Sequence, residues 1–180
     1  NSEDGTKLVL KEIKSSKKNF TFHIRKKKRD LSQSLILGIK KTKFNNIIIM
    51  DGDLQHDVSL LPLMLEVLNN NSIDMAIGSR YMQGGETGKW HPLRLFISRI
   101  ATRISKIFVG NNITDPMSGF FMLRRSCFLK VAPSLSGRGF KILLDILTSN
   151  RNFCAREIPY QFGVRKEGES KLNALVGLEF

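Results

Sequence analysis

Asn46-Ile47-Ile48-Ile49-Met50 runs directly into Asp51-Gly52-Asp53. Four large aliphatic side chains in a row leave no polar face, so the run reads as a short strand covered on both sides, as in a parallel sheet. Met75-Ala76-Ile77-Gly78 reads as a second such strand, and between the two a helical pattern covers Ser59 to Leu68, with Ser59 as its cap. The alternation extends both ways. Lys7 to Lys14 reads as a helix behind the Asn1-Ser2-Glu3-Asp4 cluster, Asn19 to Arg25 as an alternating strand, and Leu31 to Lys41 as a helix presenting Leu31, Ser34, Leu35 and Gly38 on one face. Downstream come a Gly-rich loop over 81–92, a helix over Leu93 to Val109, a strand over Phe120 to Arg124 and a helix over Phe140 to Thr148. Ala155 to Tyr160 is a last strand, which Pro159 puts near a sheet edge. Alternating helices and strands predict an α/β fold with a parallel core. Neither a repeat nor a low-complexity linker divides residues 1–180, so one domain is expected.

At 180 residues, with 41% hydrophobic and 25% charged side chains, the chain suits a globular core and excludes collagen and disordered classes. Cys127 and Cys154 are too few for a disulfide framework; they read as packing residues in a reducing compartment. No apolar run approaches the roughly 18 residues a membrane span needs. The formal charge is +13, concentrated at the start, where the first 43 residues hold 13 Lys and Arg against 4 Asp and Glu. Arg25-Lys26-Lys27-Lys28-Arg29 is the densest patch. It suits either a solvated loop or attraction to the phosphates of nucleic acid, nucleotide or anionic lipid. No aromatic residues interleave it, which argues against a specific nucleic-acid site. In the helix over Leu93 to Val109, Arg99, Arg103 and Lys106 share a face, while Phe96, Ile97, Ile100, Ile104, Ile107 and Phe108 fill the rest. Such a helix suits either a core position or a membrane headgroup layer.

Ligands of open parallel sheets sit outside the carboxyl ends of the strands. Asp51 and Asp53 fall there, with Gly52 between them for a tight bend, and two carboxylates so spaced can share Mg²⁺ or Mn²⁺ and present it to a diphosphate. The plainer alternative is that acidic residues favour the turn after a strand.

A longer set of motifs decides between these. Met50-Asp51-Gly52-Asp53-Leu54-Gln55-His56-Asp57, Gly78-Ser79-Arg80-Tyr81, Gly84-Gly85, Trp90, Arg94 and Asp115-Pro116-Met117-Ser118-Gly119-Phe120-Phe121 follow in order. Gly139-Phe140-Lys141-Ile142-Leu143, Glu157-Ile158-Pro159-Tyr160, Phe162, Arg165, Gly168, Ser170 and Lys171 continue the series. Together they resemble the polyprenol-phosphate (dolichol-phosphate) mannosyltransferase group of glycosyltransferase family 2. The resemblance implies a GT-A type, mostly parallel sheet flanked by helices. It implies an inverting, metal-dependent enzyme, peripheral on the cytoplasmic face of the membrane, that moves a sugar, most often mannose from GDP-mannose, to a polyprenyl monophosphate. Asn1 to Thr6 resembles the tail of the family's nucleotide-base segment, so the N-terminal strand and helix of the fold are expected to lie outside this sequence. Val58 stands where the group usually has proline.

The resemblance also implies roles. Asp51, Asp53 and Gln55 would hold the divalent metal. Asp4, Asp51, Gly52, Asp53, Arg80, Arg165 and Lys171 would bind the nucleotide sugar. Arg94, Ser118 and Lys141 would bind the acceptor phosphate, and Asp53, Arg80 and Arg94 would be catalytic. A phosphate monoester is already anionic at neutral pH and needs no general base. Relatives that glycosylate hydroxyls usually carry an acid at the helix start that here reads Gly139-Phe140-Lys141, and its absence favours a phosphate acceptor. Asp145 reads as an i, i+4 partner of Lys141. The implied partners are a nucleotide-sugar donor, a polyprenyl phosphate lipid, an anionic membrane surface, and membrane-anchoring segments or subunits outside this chain. Two alternatives stand beside this reading: a different donor such as UDP-glucose, and an inactive basic binding module on a transferase scaffold.

Overall fold

The computed structural model describes residues 5–26, 30–88, 92–110, 112–139 and 141–163, without the side chain of Arg94. Helix α1 (Thr6–Ser16) buries none of its residues and starts from Gly5 rather than from a side-chain cap; the cluster at 1–4 lies outside the described residues. Helix α2 (Leu31–Lys41) is capped by Asp30, which accepts from Gln33 N at 2.8 Å and from Gly139 N at 3.1 Å. Strands β1 (Asn46–Ile49), β2 (Met75–Ser79), β3 (Phe121–Arg124) and β4 (Ala155–Pro159) form one sheet in the order β1-β3-β2-β4. Helix α3 (Leu61–Asn69) follows a 3-10 turn over Val58–Leu60, and α4 (Pro92–Val109), α5 (Arg125–Val131) and α6 (Ile142–Ser149) complete the α/β fold.

Three of the four strands run the same way, and the sheet, flanked by helices, is mixed. The fourth, β3, is reversed and lies between β1 and β2, antiparallel to both, while β2 and β4 pair in parallel. Reversal has a consequence for the site. The residues entering β3, Asp115 to Phe120, arrive beside the carboxyl ends of its parallel neighbours, where Asp51, Arg80 and Tyr160 also lie.

Side-chain alternation along the strands builds a core on each face. On one face Ile49, Met75, Ile77, Phe121 and Leu123 pack with α2, α5 and α6; on the other, Ala76, Phe120, Met122 and Ile158 pack with α3. Ile47 joins the first core and Ile48 the second, so β1 is covered on both sides as its sequence predicts. Pro159 lies on an edge strand, also as predicted. Cys127 is buried, its thiol donating to Asp74 at 3.1 Å, whereas Cys154 is exposed and does not pack. Burial, ahead of the Asp74 contact, pushes the Cys127 thiol pKa up.

Several local expectations are corrected. Asn19 to Arg25 forms no strand: alternation alone does not make one without a hydrogen-bonded neighbour, and none pairs with it among the described residues. The buried stripe of α2 is Ser32, Leu35, Ile36 and Ile39; Leu31 and Gly38 are exposed. The turn before α3 is capped by Asp57, whose carboxylate accepts from Ser59 N at 2.9 Å; the Ser59 hydroxyl, and then this backbone contact, lower the Asp57 pKa.

Helix α4 is inverted relative to an ordinary amphipathic helix. Ala101, Thr102 and Ser105 are buried, and Ser98 bonds Tyr81 across 2.8 Å, so its small-residue stripe faces the protein. Leu93, Phe96, Ile97, Ile100, Ile104, Ile107 and Phe108 face outward, with Ile107 76% exposed. The Arg99 and Arg103 side chains flank this apolar row, both exposed.

Candidate active site

The loop after β1 carries the two acids. Asp51 has a half-exposed side chain, while Asp53 is partly buried and accepts from Gln55 N at 3.2 Å. The bend is made by Leu54, at φ 61°, not by Gly52, which lacks a positive φ and has open space around it. A non-glycine residue held in the left-handed region stores strain of about 1–3 kcal/mol, which the surroundings must offset. Those surroundings are the segment after β4. Gln55 O accepts from Gly163 N at 2.8 Å, and Gln55 Nε2 donates to Gly163 O at 2.8 Å. The same segment is stitched to the loop after β2, since Glu86 N donates to Tyr160 O at 3.0 Å and Phe162 N to Glu86 O at 2.9 Å.

A buried ion pair organises the end of β2. Arg80 Nε donates to Asp115 Oδ2 at 2.7 Å and Nη2 to Oδ1 at 2.9 Å, a bidentate fork on a carboxylate with no exposed surface. Burial acts to lower the Arg80 pKa, but the Asp115 hydrogen bonds and charge outweigh it and hold the guanidinium firmly protonated. Glu157 on β4 accepts from Thr114 N at 2.7 Å and Asp115 N at 2.9 Å, fixing the backbone that carries Asp115. Arg80 therefore has a structural partner that sequence reasoning did not assign. The signal was present, since Asp115 and Glu157 both stand in the quoted motifs.

Ser118 and Lys141 also sit differently from a simple phosphate site. The Ser118 hydroxyl is buried, donating to Gly78 O at 2.7 Å and accepting from Phe120 N at 3.1 Å, so it braces the entry to β3. Lys141 caps the start of α6 and is half-buried, and that burial lowers its pKa to about 8. Asp145 does not reach back to Lys141 as expected; its carboxylate accepts from Ser136 Oγ at 2.9 Å and Gly137 N at 3.2 Å and closes the preceding turn. Asp4, Arg165 and Lys171 lie outside the described residues, as do Trp90 and His91. Arg94 falls on the first turn of α4.

The donor set suits a hard cation. Asp51 and Asp53 offer carboxylate oxygens, and the Gln55 amide turns its nitrogen to Gly163, leaving the oxygen as its acceptor end. Gly119 keeps room beside Asp51, because a Cβ there would lie 3.1 Å from Oδ2. Among the described residues no group of three or more His, Cys, Asp or Glu gathers for a metal. Two carboxylates and an amide fit a cation that completes its shell with substrate phosphates and water. Nearby, Arg80, Tyr81, Gly85, Glu86, Thr87, Gly88 and Arg99 line an open cleft of about 580 Å³ between the loop after β2 and α4.

The fold is the GT-A type of nucleotide-sugar transferases. Glucosyl-3-phosphoglycerate synthase from Mycobacterium tuberculosis, solved with Mn²⁺, uridine diphosphate and phosphoglyceric acid, superposes at TM-score 0.62 over 97% of this chain and 60% of that one, at 17% identity. The pattern of glycosyl transferase family 2 matches residues 1–131, and the chain belongs to that family. It is 39% identical over 158 residues to a dolichol-phosphate mannosyltransferase of Pyrococcus furiosus, covering 87% of this chain and 44% of that protein. It is 33% identical to the enzyme of the same name from Mycosarcoma maydis, covering 100% of this chain and 61% of that protein. The chain thus spans roughly half the length of these relatives.

Proposed function

We propose that the protein is a metal-dependent, inverting glycosyltransferase that moves mannose from GDP-mannose to a polyprenyl monophosphate of the dolichyl type. The observation that carries the reading is the oxygen-donor loop Asp51-Gly52-Asp53-Leu54-Gln55 at the carboxyl end of β1, tied to Gly163. The names of the relatives supply the sugar and the acceptor class. Asp51, Asp53 and Gln55 would hold Mg²⁺ or Mn²⁺, which when bound neutralises the diphosphate leaving group. An acceptor phosphate oxygen attacks the anomeric carbon from the face opposite the diphosphate; the new C–O bond forms as the bond to the diphosphate breaks, and the configuration inverts. The acceptor arrives already ionised, so no side chain need take a proton, in keeping with the engagement of Asp145 at the 136–137 turn. Arg94, Arg165 and Lys171 counter the phosphate charges, and Lys141, whose burial lowers its pKa to about 8, offers an ammonium that an approaching phosphate would stabilise. Arg80 acts by keeping the 114–115 loop in place through Asp115.

No helix among the described residues is long and apolar enough to cross a membrane. The outward apolar row of α4, with basic side chains beside it, supports peripheral attachment to an anionic headgroup layer on the cytoplasmic face, where the lipid phosphate resides.

The test is transfer of labelled mannose to polyprenyl phosphate in the presence of Mn²⁺. Asp51→Asn and Asp53→Asn should each lower turnover by about 10²–10³-fold, comparable to removal of a main electrostatic stabiliser, with an unchanged circular dichroism spectrum. EDTA should abolish the wild-type reaction. Undiminished mannolipid formation by either variant in EDTA would remove the metal from the proposal.

A further inference from the structure

We infer that His56 is a positioning residue for Asp51, held by Tyr160 so that its Nε2–H faces the Asp51 carboxylate. The inference rests on the reading of Asp51 as a metal ligand. His56 is 6% exposed, stacked on Phe120 with ring centroids 4.9 Å apart and set edge-on to Phe162 at 5.6 Å, so its ring plane is fixed by packing. Its Nδ1 lies 3.2 Å from the Tyr160 hydroxyl. Its Nε2 is buried without a hydrogen-bond partner and lies 3.6 Å from Asp51 Oδ2. That spacing is an ion–dipole contact, and a few tenths of an ångström of carboxylate movement turns it into a hydrogen bond.

The chemistry of the three groups orders the protons. A carboxylate only accepts, so the nitrogen facing it carries hydrogen. In the tautomer with hydrogen at Nε2 the lone pair lies at Nδ1, where the Tyr160 hydroxyl, 3.2 Å away, is placed to donate to it. Burial keeps that hydroxyl protonated by raising the Tyr160 pKa. Gly119 closes the arrangement from the side, since a Cβ there would lie 3.1 Å from Asp51 Oδ2 and 3.8 Å from His56 Nε2. A half-exposed carboxylate would otherwise rotate freely. Anchoring it from behind leaves less freedom for a cation to freeze out, and outer partners of this kind typically contribute 10–100-fold in metal affinity.

The experiment is calorimetric titration of the chain with Mn²⁺ alone, without sugar substrates, beside thermal melts. His56→Asn keeps a polar group near the Nδ1 position but falls short of Asp51, whereas His56→Gln extends an N–H toward the Nε2 position. The Asn variant should bind Mn²⁺ about 10–100-fold more weakly, and the Gln variant should recover most of that loss. Tyr160→Phe preserves the ring packing but frees the imidazole proton, and should weaken binding several-fold. Wild-type affinity in His56→Asn, or equal losses in Asn and Gln at unchanged melting temperature, overturns the inference. If His56→Asn fails to fold, unchanged affinity in Tyr160→Phe does the same. Asp51→Asn separates the two levels: Mn²⁺ uptake equal to wild type there sinks the metal reading itself, while loss there with none in His56→Asn sinks only the positioning role.

Discussion

Asp115 has no exposed surface, yet it carries the charge that holds Arg80. Removing one partner of such a pair leaves the other desolvated and uncompensated, which costs more than the pair itself contributes. Asp115→Asn should therefore lower unfolding free energy by about 3–5 kcal/mol, read as a reduced urea midpoint at unchanged slope. A loss under about 1 kcal/mol would mean that Arg80 swings out to solvent and is poised for substrate after all. At this scale the sequence was informative about chemistry and silent about partners. Asp51 and Asp53 could be placed because a strand end and a spacing are local properties. The Arg80–Asp115 fork could not, since it joins residues on different loops that only the reversed strand brings together. Gly52 shows the converse: a glycine in a loop suggests the bend, but the bend falls on Leu54.

Helix α4 is the element whose surface departs most from expectation. Periodicity placed its ends almost correctly but could not say which stripe turns inward. Large apolar residues are usually buried; here the closer approach allowed by Ala101, Thr102 and Ser105 sets the packing, and the larger side chains are left outside. On the membrane reading, Arg99→Gln, Arg103→Gln and Lys106→Gln together should reduce sedimentation with anionic liposomes by at least tenfold, at about 1 kcal/mol per basic residue near the surface. Phe96→Ser with Ile107→Ser should weaken binding to neutral liposomes as well, with little loss of melting temperature. Liposome binding untouched by either set would deny α4 that role. Strands β1 and β2 were legible because burial on both faces writes a continuous apolar run. Asn19 to Arg25 was misread because its alternation carries no information about a neighbour.

Over the whole molecule, a charge of +13 makes attraction to any polyanion unavoidable at low salt. As a transferase the chain should bind duplex DNA weakly and without sequence preference, losing at least about tenfold in affinity between 50 and 200 mM salt through counterion release. Sequence-selective binding at about 150 mM salt, measured by fluorescence anisotropy, would favour the binding-module alternative instead. The fold class was legible at this scale because helices and strands alternate along the chain. The strand order was not, since nothing in a buried tetrapeptide states which way it points. That order has a consequence in time. Strands β1 and β2 make no ladder with each other; each is completed by β3, which is synthesised only after α4. Among the described residues β3 is the strand that pairs with β1, so that ladder cannot form until Phe121 to Arg124 has inserted between them. The sheet should therefore form late and nearly all at once, with β3 as its nucleus, and refolding should be slow for a chain this size because the decisive contacts close long loops. Truncating Leu123 should then slow folding more than it speeds unfolding, whereas truncating Leu8 on the outlying α1 should leave both rates unchanged.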